Sequence, residues 1–211
     1  MLTLPPQNNA DFELTPAGSH VAVCYRAIDL GTQLIEWKGT KKKQRKIMLS
    51  WELCDEFMKE GKNEGLPFSI HKRYTFSSSE KSTLIKDLEG WRGRAFTKEE
   101  YGKFSIQVLM GIGCMLSVVH VERDGKTYAN IGSIMKLPKG VTSKAPINPI
   151  VCFDLTKFDQ KTYDELSDSL KATIALSPEY QELKGMNNHS PNVTDDAHDP
   201  APTLDDSEIP F

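Results

Sequence analysis

At 211 residues with 38% apolar content, the chain suits one folded body with appendages and carries enough apolar material for a real core. It holds no run of about 18 apolar residues to span a membrane, and its opening MLTLPPQNNADF lacks the basic start and apolar centre of a signal peptide; a cytoplasmic protein with no membrane partner is expected. The formal net charge of −3 hides a split: residues 186–211 hold six acids and no Lys or Arg, which leaves +3 on residues 1–185, a basic body whose acidic tail it attracts.

A Pro-containing leader over 1–16 precedes SHVAVCYRAIDLG (19–31), which is rich in β-formers and predicts a first strand ending at Gly31. The cation-rich stretch 32–46 then reads as a loop. KIMLSWELCDE (46–56) alternates, with Ile47, Leu49, Trp51 and Leu53 on one face, and predicts a second strand. FMKEGKNEGLP (57–67) is turn material. FSIHKRYTFS (68–77) resumes alternation as a third strand, with Phe68, Ile70, Tyr74 and Phe76 on one side and His71 and Arg73 on the other. The period then changes: SSSEKSTLIKDLEGW (77–91) predicts a helix capped by Ser78 or Ser79, with Leu84, Ile85 and Leu88 as its apolar stripe.

Residues 91–111 read as a connection with one helical turn near Lys98 to Tyr101. Two β-rich runs within 113–138 flank Asp124-Gly125, the strongest hairpin signal in the chain, and supply strands four and five. Residues 139–185, with a weak helical pattern in DQKTYDELSDSLKATIAL, are expected to pack on the body as an extension, and 186–211 forms an acidic tail without period, read as disordered. The four cysteines, Cys24, Cys54, Cys114 and Cys152, and the five histidines make no CxxC or HExxH pattern. No metal or other cofactor is called for.

The expected fold is therefore mainly β: an OB-fold five-stranded antiparallel barrel over 17–138, with a helix between strands three and four, plus the C-terminal extension and the disordered tail. An α+β sheet crossed by one helix has the same element order. The charge favours the barrel, because the loop between strands one and two overhangs the oligonucleotide face of an OB fold. That loop carries Lys38, Lys41, Lys42, Lys43, Arg45 and Lys46 beside Trp37. Single-stranded nucleic acid asks for cations along the phosphates and aromatic planes under the bases. Further candidates are His71, Arg73 and Tyr74 on the third strand, Trp91 with Arg92 and Arg94 after the helix, and Tyr128 on the fifth strand. Each aromatic has a competing reading: Trp51, Phe76 and Tyr74 share a face with aliphatics, Tyr128 fits either face, and Trp91 also fits as a staple for its helix.

The last seven residues, DDSEIPF, resemble the C-terminal tip of bacterial single-stranded DNA-binding proteins. The resemblance implies that Ile209, Pro210 and Phe211, behind the acids Asp205, Asp206 and Glu208, bind replication, recombination and repair proteins, with the terminal Phe in an apolar pocket. Ser207 interrupts the acidic run. The body is similar instead, through YTFSSSEKSTLIKDLEGWRGRAFT and HVERDGKTYANIGSIMKLPKG, to phage-encoded proteins taken as single-stranded DNA-binding OB-fold proteins. That likeness covers roughly residues 17–140 and implies a bacterial host cytoplasm. A homodimer through a barrel edge or the extension is compatible with the pattern.

Two other classes compete. A Mg-dependent nuclease or resolvase needs paired carboxylates, and Asp55-Glu56 and Glu99-Glu100 are present, though near turns among lysines. An OB-type protein-interaction module would turn the same cations towards an acidic partner. The expectation carried forward is a non-catalytic single-stranded DNA-binding protein.

Overall fold

The computed structural model describes residues 13–37 and 39–185, with Trp37 through its backbone alone. The leader is thus seen from residue 13 only, and the acidic tail with its tip residues Asp205, Asp206, Glu208, Ile209, Pro210 and Phe211 lies outside the described residues.

Alternation builds the core as read. On β1 (Gly18–Trp37), β2 (Thr40–Phe57) and β3 (Pro67–Thr75), one face places Cys24, Ala27, Ile47, Leu49, Trp51, Leu53, Phe68, Ile70 and Tyr74 together. They meet Cys114, Leu116 and Val118 of β4 (Gly113–Arg123) and Ile131 and Ile134 of β5 (Lys126–Met135). Asp124 at φ 50° and Gly125 at φ 73° make the tight turn between β4 and β5. Helix α1 (Thr83–Arg92) fills the open end with Leu84, Ile85, Leu88 and Trp91. Its cap is Ser82, whose side chain accepts from Ile85 N at 3.2 Å, rather than Ser78 or Ser79, and Gly93 ends it at φ 71°. A short helix α2 (Lys98–Tyr101) follows.

The sheet runs β3-β2-β1-β4-β5 with every neighbour antiparallel, and a sixth strand, β6 (Val151–Phe153), lies parallel to β1 at residues 26–28. The closed barrel expected from sequence is not formed. β3 and β5 approach each other but share no ladder. Helix α1 takes that place: Lys136 N, just past β5, donates to Gly90 O at 3.0 Å. A Cβ on residue 90 would stand 2.5 Å from Ile134 O, so Gly90 lets the helix backbone reach the strand.

The stretch 32–46, expected as a loop, is also corrected. Residues from Thr32↔Arg45 to Trp37↔Thr40 continue the antiparallel register of β1 and β2, so the basic segment is a two-stranded arm. Gly39, at φ 77°, supplies the left-handed conformation that the tight connection needs. Thr32 and Ile35 bring β-branched residues to one strand, and the lysines paired opposite it are exposed.

The extension packs on the side of β1 and β2 away from the main core. Ile28, Leu30 and Met48 are buried under Phe153, Leu155, Tyr163, Leu166, Leu170 and Ile174, from β6, helices α3 (Gln160–Asp164) and α4 (Asp168–Ala175), and the turns that join them. Burial on both faces explains why VAVCYRAIDL is nearly continuous in apolar residues. Helix α5 (Pro178–Leu183) grips the root of the arm: Glu179 accepts from Thr32 N at 2.9 Å and from Thr32 Oγ1 at 2.5 Å.

Gly31 sits at that root with φ 70°, and a Cβ there would fall 2.4 Å from Ser177 Cβ and 2.9 Å from Leu155 Cδ1. Gly31→Ala should therefore cost about 3 kcal/mol, combining left-handed strain with overpacking. The check is a lower urea midpoint with an unchanged slope.

Candidate nucleic-acid interface

Lys41, Lys42 and Lys43 are exposed along the arm, opposite Glu36, Ile35 and Leu34 respectively. Adjacent strand residues point to opposite faces, so the arm is cationic on both. Lys41 Nζ lies 3.9 Å from Glu36, with both side chains more than 60% exposed. Such a pair is worth about 0–1 kcal/mol and leaves the charge available to a phosphate. Trp37 is the last residue of β1, and its side chain and Lys38 lie outside the described residues.

The two cations at the root do other work. Arg45 donates to both Asp29 oxygens, at 2.5 and 3.3 Å, and this bond raises its pKa. The pair braces the arm, since Asp29 also accepts from Gly31 N at 3.0 Å. Lys46 is only 6% exposed and donates to Thr75 Oγ1 at 2.9 Å. A buried, hydrogen-bonded ammonium is not presented to a ligand, so Lys46 leaves the predicted set.

On the outer face, His71 is exposed and Arg73 half-buried, both pointing away from the core as the alternation predicted. The His71 ring sits low among protein atoms, and this desolvation, followed by the charges of Arg73 and Arg26, lowers its pKa from the ordinary 6.5. Arg26 was missed from sequence. It lies inside an apolar run, and an irregularity between Cys24 and Arg26 shifts the phase of β1, so period counting alone could not place it.

Tyr74 and Trp91 are corrected from base platforms to core. Tyr74 is fully buried, and its hydroxyl donates to Asp87 Oδ2 at 2.8 Å. Burial first, with the Asp87 charge beside it, pushes this phenol well above its ordinary range. Trp91 is 5% exposed, packs on Trp51 with ring centroids 5.9 Å apart, and donates from Nε1 to Gly113 O at 2.8 Å. The staple reading is the one realised. Phe76, expected inward, lies beyond the end of β3 and is exposed, with the Arg45 guanidinium 5.9 Å from its ring centroid.

Arg92 and Arg94 both bind Glu100, at 2.6 Å from Arg92 Nη2 and at 2.6 and 2.9 Å from Arg94. Arg94, then the Thr97 N–H and Arg92, draw the Glu100 carboxyl down to about 2. Two cations against one acid leave a net positive charge, carried by the exposed Arg94. Arg92 instead lies 4.0 Å over Phe96 and acts in packing. Tyr128 is exposed on β5, opposite Val121. The described surface thus brings together the arm lysines in one place and Arg26, His71 and Arg73 in another, with Arg94 and Tyr128 apart.

The acid pairs weighed for metal chemistry face other side chains, the Asp55–Lys144 pair being more than 60% exposed on both sides. Asp55 binds Lys144 at 2.5 Å, Glu56 lies 3.5 Å from His20, and Glu99 accepts from Thr97 Oγ1 at 3.0 Å. Among the described residues no three His, Cys, Asp or Glu side chains come together as a metal set, and no helix is long and apolar enough to cross a membrane. The chain matches no protein-family model and no curated protein.

Proposed function

We propose that this chain is a non-catalytic protein that binds single-stranded DNA without sequence preference, gripping it with the cationic arm. The observation that carries the reading is the arm itself: Lys41, Lys42 and Lys43 stand exposed on a ribbon whose strands, over Thr32–Trp37 and Thr40–Gln44, pair only with each other among the described residues. A lone two-stranded ribbon is marginal in water and gains from a ligand laid along it. Cations on both faces suit a flexible strand that can wrap, more than a rigid duplex that meets one face.

An OB-type body fits the strand order β3-β2-β1-β4-β5 with α1 between β3 and β4, since OB barrels are commonly partly open. In that setting the arm is the overhanging connection of strands one and two. The likeness to phage-encoded DNA-binding proteins supports a role in phage replication and recombination. The test is anisotropy of a labelled unstructured oligonucleotide with unlabelled single strand or duplex as competitor. Displacement by the single strand at far lower concentration than by the duplex supports the reading, and equal displacement, or no binding, removes it.

The segment DDSEIPF is proposed to recruit replication proteins by seating Phe211 in an apolar pocket, as its resemblance implies. In a short anchor, Pro210 fixes part of the backbone and so reduces the ordering entropy lost on binding. Phe211→Ala should leave DNA affinity unchanged and abolish pull-down of a tail-binding replication protein. A fall in DNA affinity instead would take that role from the tip.

A further inference from the structure

The outer face of β2 is covered by the extension at two places, and Ser50 between them is only 4% exposed. Met48 lies under the helical layer of the extension. Glu52, 2% exposed, lies under the strap before β6, where it accepts from Ile147 N at 2.8 Å, Asn148 N at 2.8 Å and Asn148 Nδ2 at 2.7 Å. Between Met48 and Glu52 on that face stands Ser50. Its register partners are Arg26 on β1 and His71 on β3, while Arg73 lies two residues beyond His71, opposite Met48. The flanking Ala27, Leu49, Ile70 and Tyr74 all belong to the main core, which puts Arg26, Ser50, His71 and Arg73 on the opposite, outward face.

We propose that Arg26, His71 and Arg73, around Ser50, form a phosphate subsite that takes one backbone phosphodiester of the bound single strand. The inference rests on the single-strand reading above. Two guanidiniums brought beside one imidazole on a sheet repel each other, and an anion shared among the three groups relieves that repulsion with charge-assisted hydrogen bonds. Arg26 Nε is buried and has no hydrogen-bond partner among the described residues, leaving a donor for an incoming oxygen. The neighbouring acid does not answer it: Glu52 is the carboxylate on this face of β2, and its oxygens are taken by the strap. From the other packed elements, β6 brings Val151, Cys152 and Phe153 without charge, and Lys144 of the strap is paired with Asp55.

A proton linkage follows. His71 is held neutral near pH 7 by desolvation and by its two arginine neighbours, and a phosphate against the ring favours the imidazolium. Binding should therefore take up a proton, and affinity should rise as pH falls below the ordinary histidine value of 6.5.

The experiment follows the His71 imidazole by NMR through a pH titration, with the resonance assigned from His71→Gln. It is run on the full chain alone, with an unstructured oligonucleotide, and with inorganic phosphate. The oligonucleotide should raise the His71 pKa, and Arg26→Ala should abolish that rise while weakening single-strand binding by about 5- to 10-fold and flattening its salt slope by about 0.7. A rise with inorganic phosphate and none with the oligonucleotide would keep an anion site but overturn its assignment to a nucleic-acid backbone. No rise with either, while the single strand still binds, overturns the subsite and leaves the arm reading standing. Absence of any single-strand binding, with no rise in pKa, overturns both.

Discussion

Trp91→Ala is expected to destabilise the protein by about 3–5 kcal/mol, the range for deleting a large buried aromatic, while the fraction that remains folded binds single-stranded DNA as tightly as the parent. Trp91 is the side chain through which α1 closes the open end of the sheet. It packs on Trp51 and on the aliphatics of α1, and its indole N–H satisfies the carbonyl of Gly113 at the start of β4. The loss therefore has two parts, a cavity and an unpaired buried carbonyl. Trp91→Phe separates them, because it keeps most of the volume and should cost nearer 1–2 kcal/mol for the lost bond. Urea midpoints measure both. A Trp91→Ala chain of parental stability that fails to bind DNA would return this residue to the interface.

Replacing Lys41, Lys42 and Lys43 together by alanine should have the opposite signature. All three are exposed, and surface changes of this kind stay within about 0.5 kcal/mol each in stability. Binding is where they act. A charge beside a phosphate in water is worth about 1 kcal/mol, so three of them amount to about 100-fold in affinity at about 1.4 kcal/mol per tenfold. The salt dependence should flatten by about 2 in slope, at about 0.7 per phosphate released from its counterion on a single strand. Anisotropy titrations across a salt series report both quantities. An unchanged slope would mean that the strand does not run along the arm.

Much of the fold was legible because period 2 survives where one face is buried. Ile47, Leu49, Trp51 and Leu53 read inward and are inward, and Asp124-Gly125 read as a tight turn and is one. The arm was not legible because a run of lysines carries the marks of a loop, and what makes it a ribbon is pairing with Thr32 to Trp37 across the turn at Gly39, which no local pattern records. Barrel closure failed for a related reason: the backbone N–H of Lys136, just past β5, is taken by the carbonyl of Gly90, forty-six residues away in sequence.

The site was legible in part. His71 and Arg73 face outward as alternation requires, and Tyr74 faces inward by that same alternation, so its reading as a base platform went against the pattern that placed its neighbours. Arg26 was invisible inside VAVCYRAIDL because a register irregularity precedes it. Glu52 stands on the face of β2 opposite Trp51 and Leu53, and the strap that binds it comes from Ile147 and Asn148, 95 and 96 residues on. Interactions at that separation depend on the assembled fold and leave no trace in a window of sequence.

The most direct measurement is a tryptophan fluorescence titration with an unstructured single strand and a matched duplex, at low and high salt. Trp51 and Trp91 are buried at 0% and 5% exposure, so quenching by a ligand reports Trp37 at the end of β1. The expected result is quenching by the single strand that weakens steeply with salt, little response to duplex, and loss of the signal in Trp37→Phe. No quenching by either nucleic acid at low salt, with unchanged electrophoretic mobility of the oligonucleotide, would contradict it.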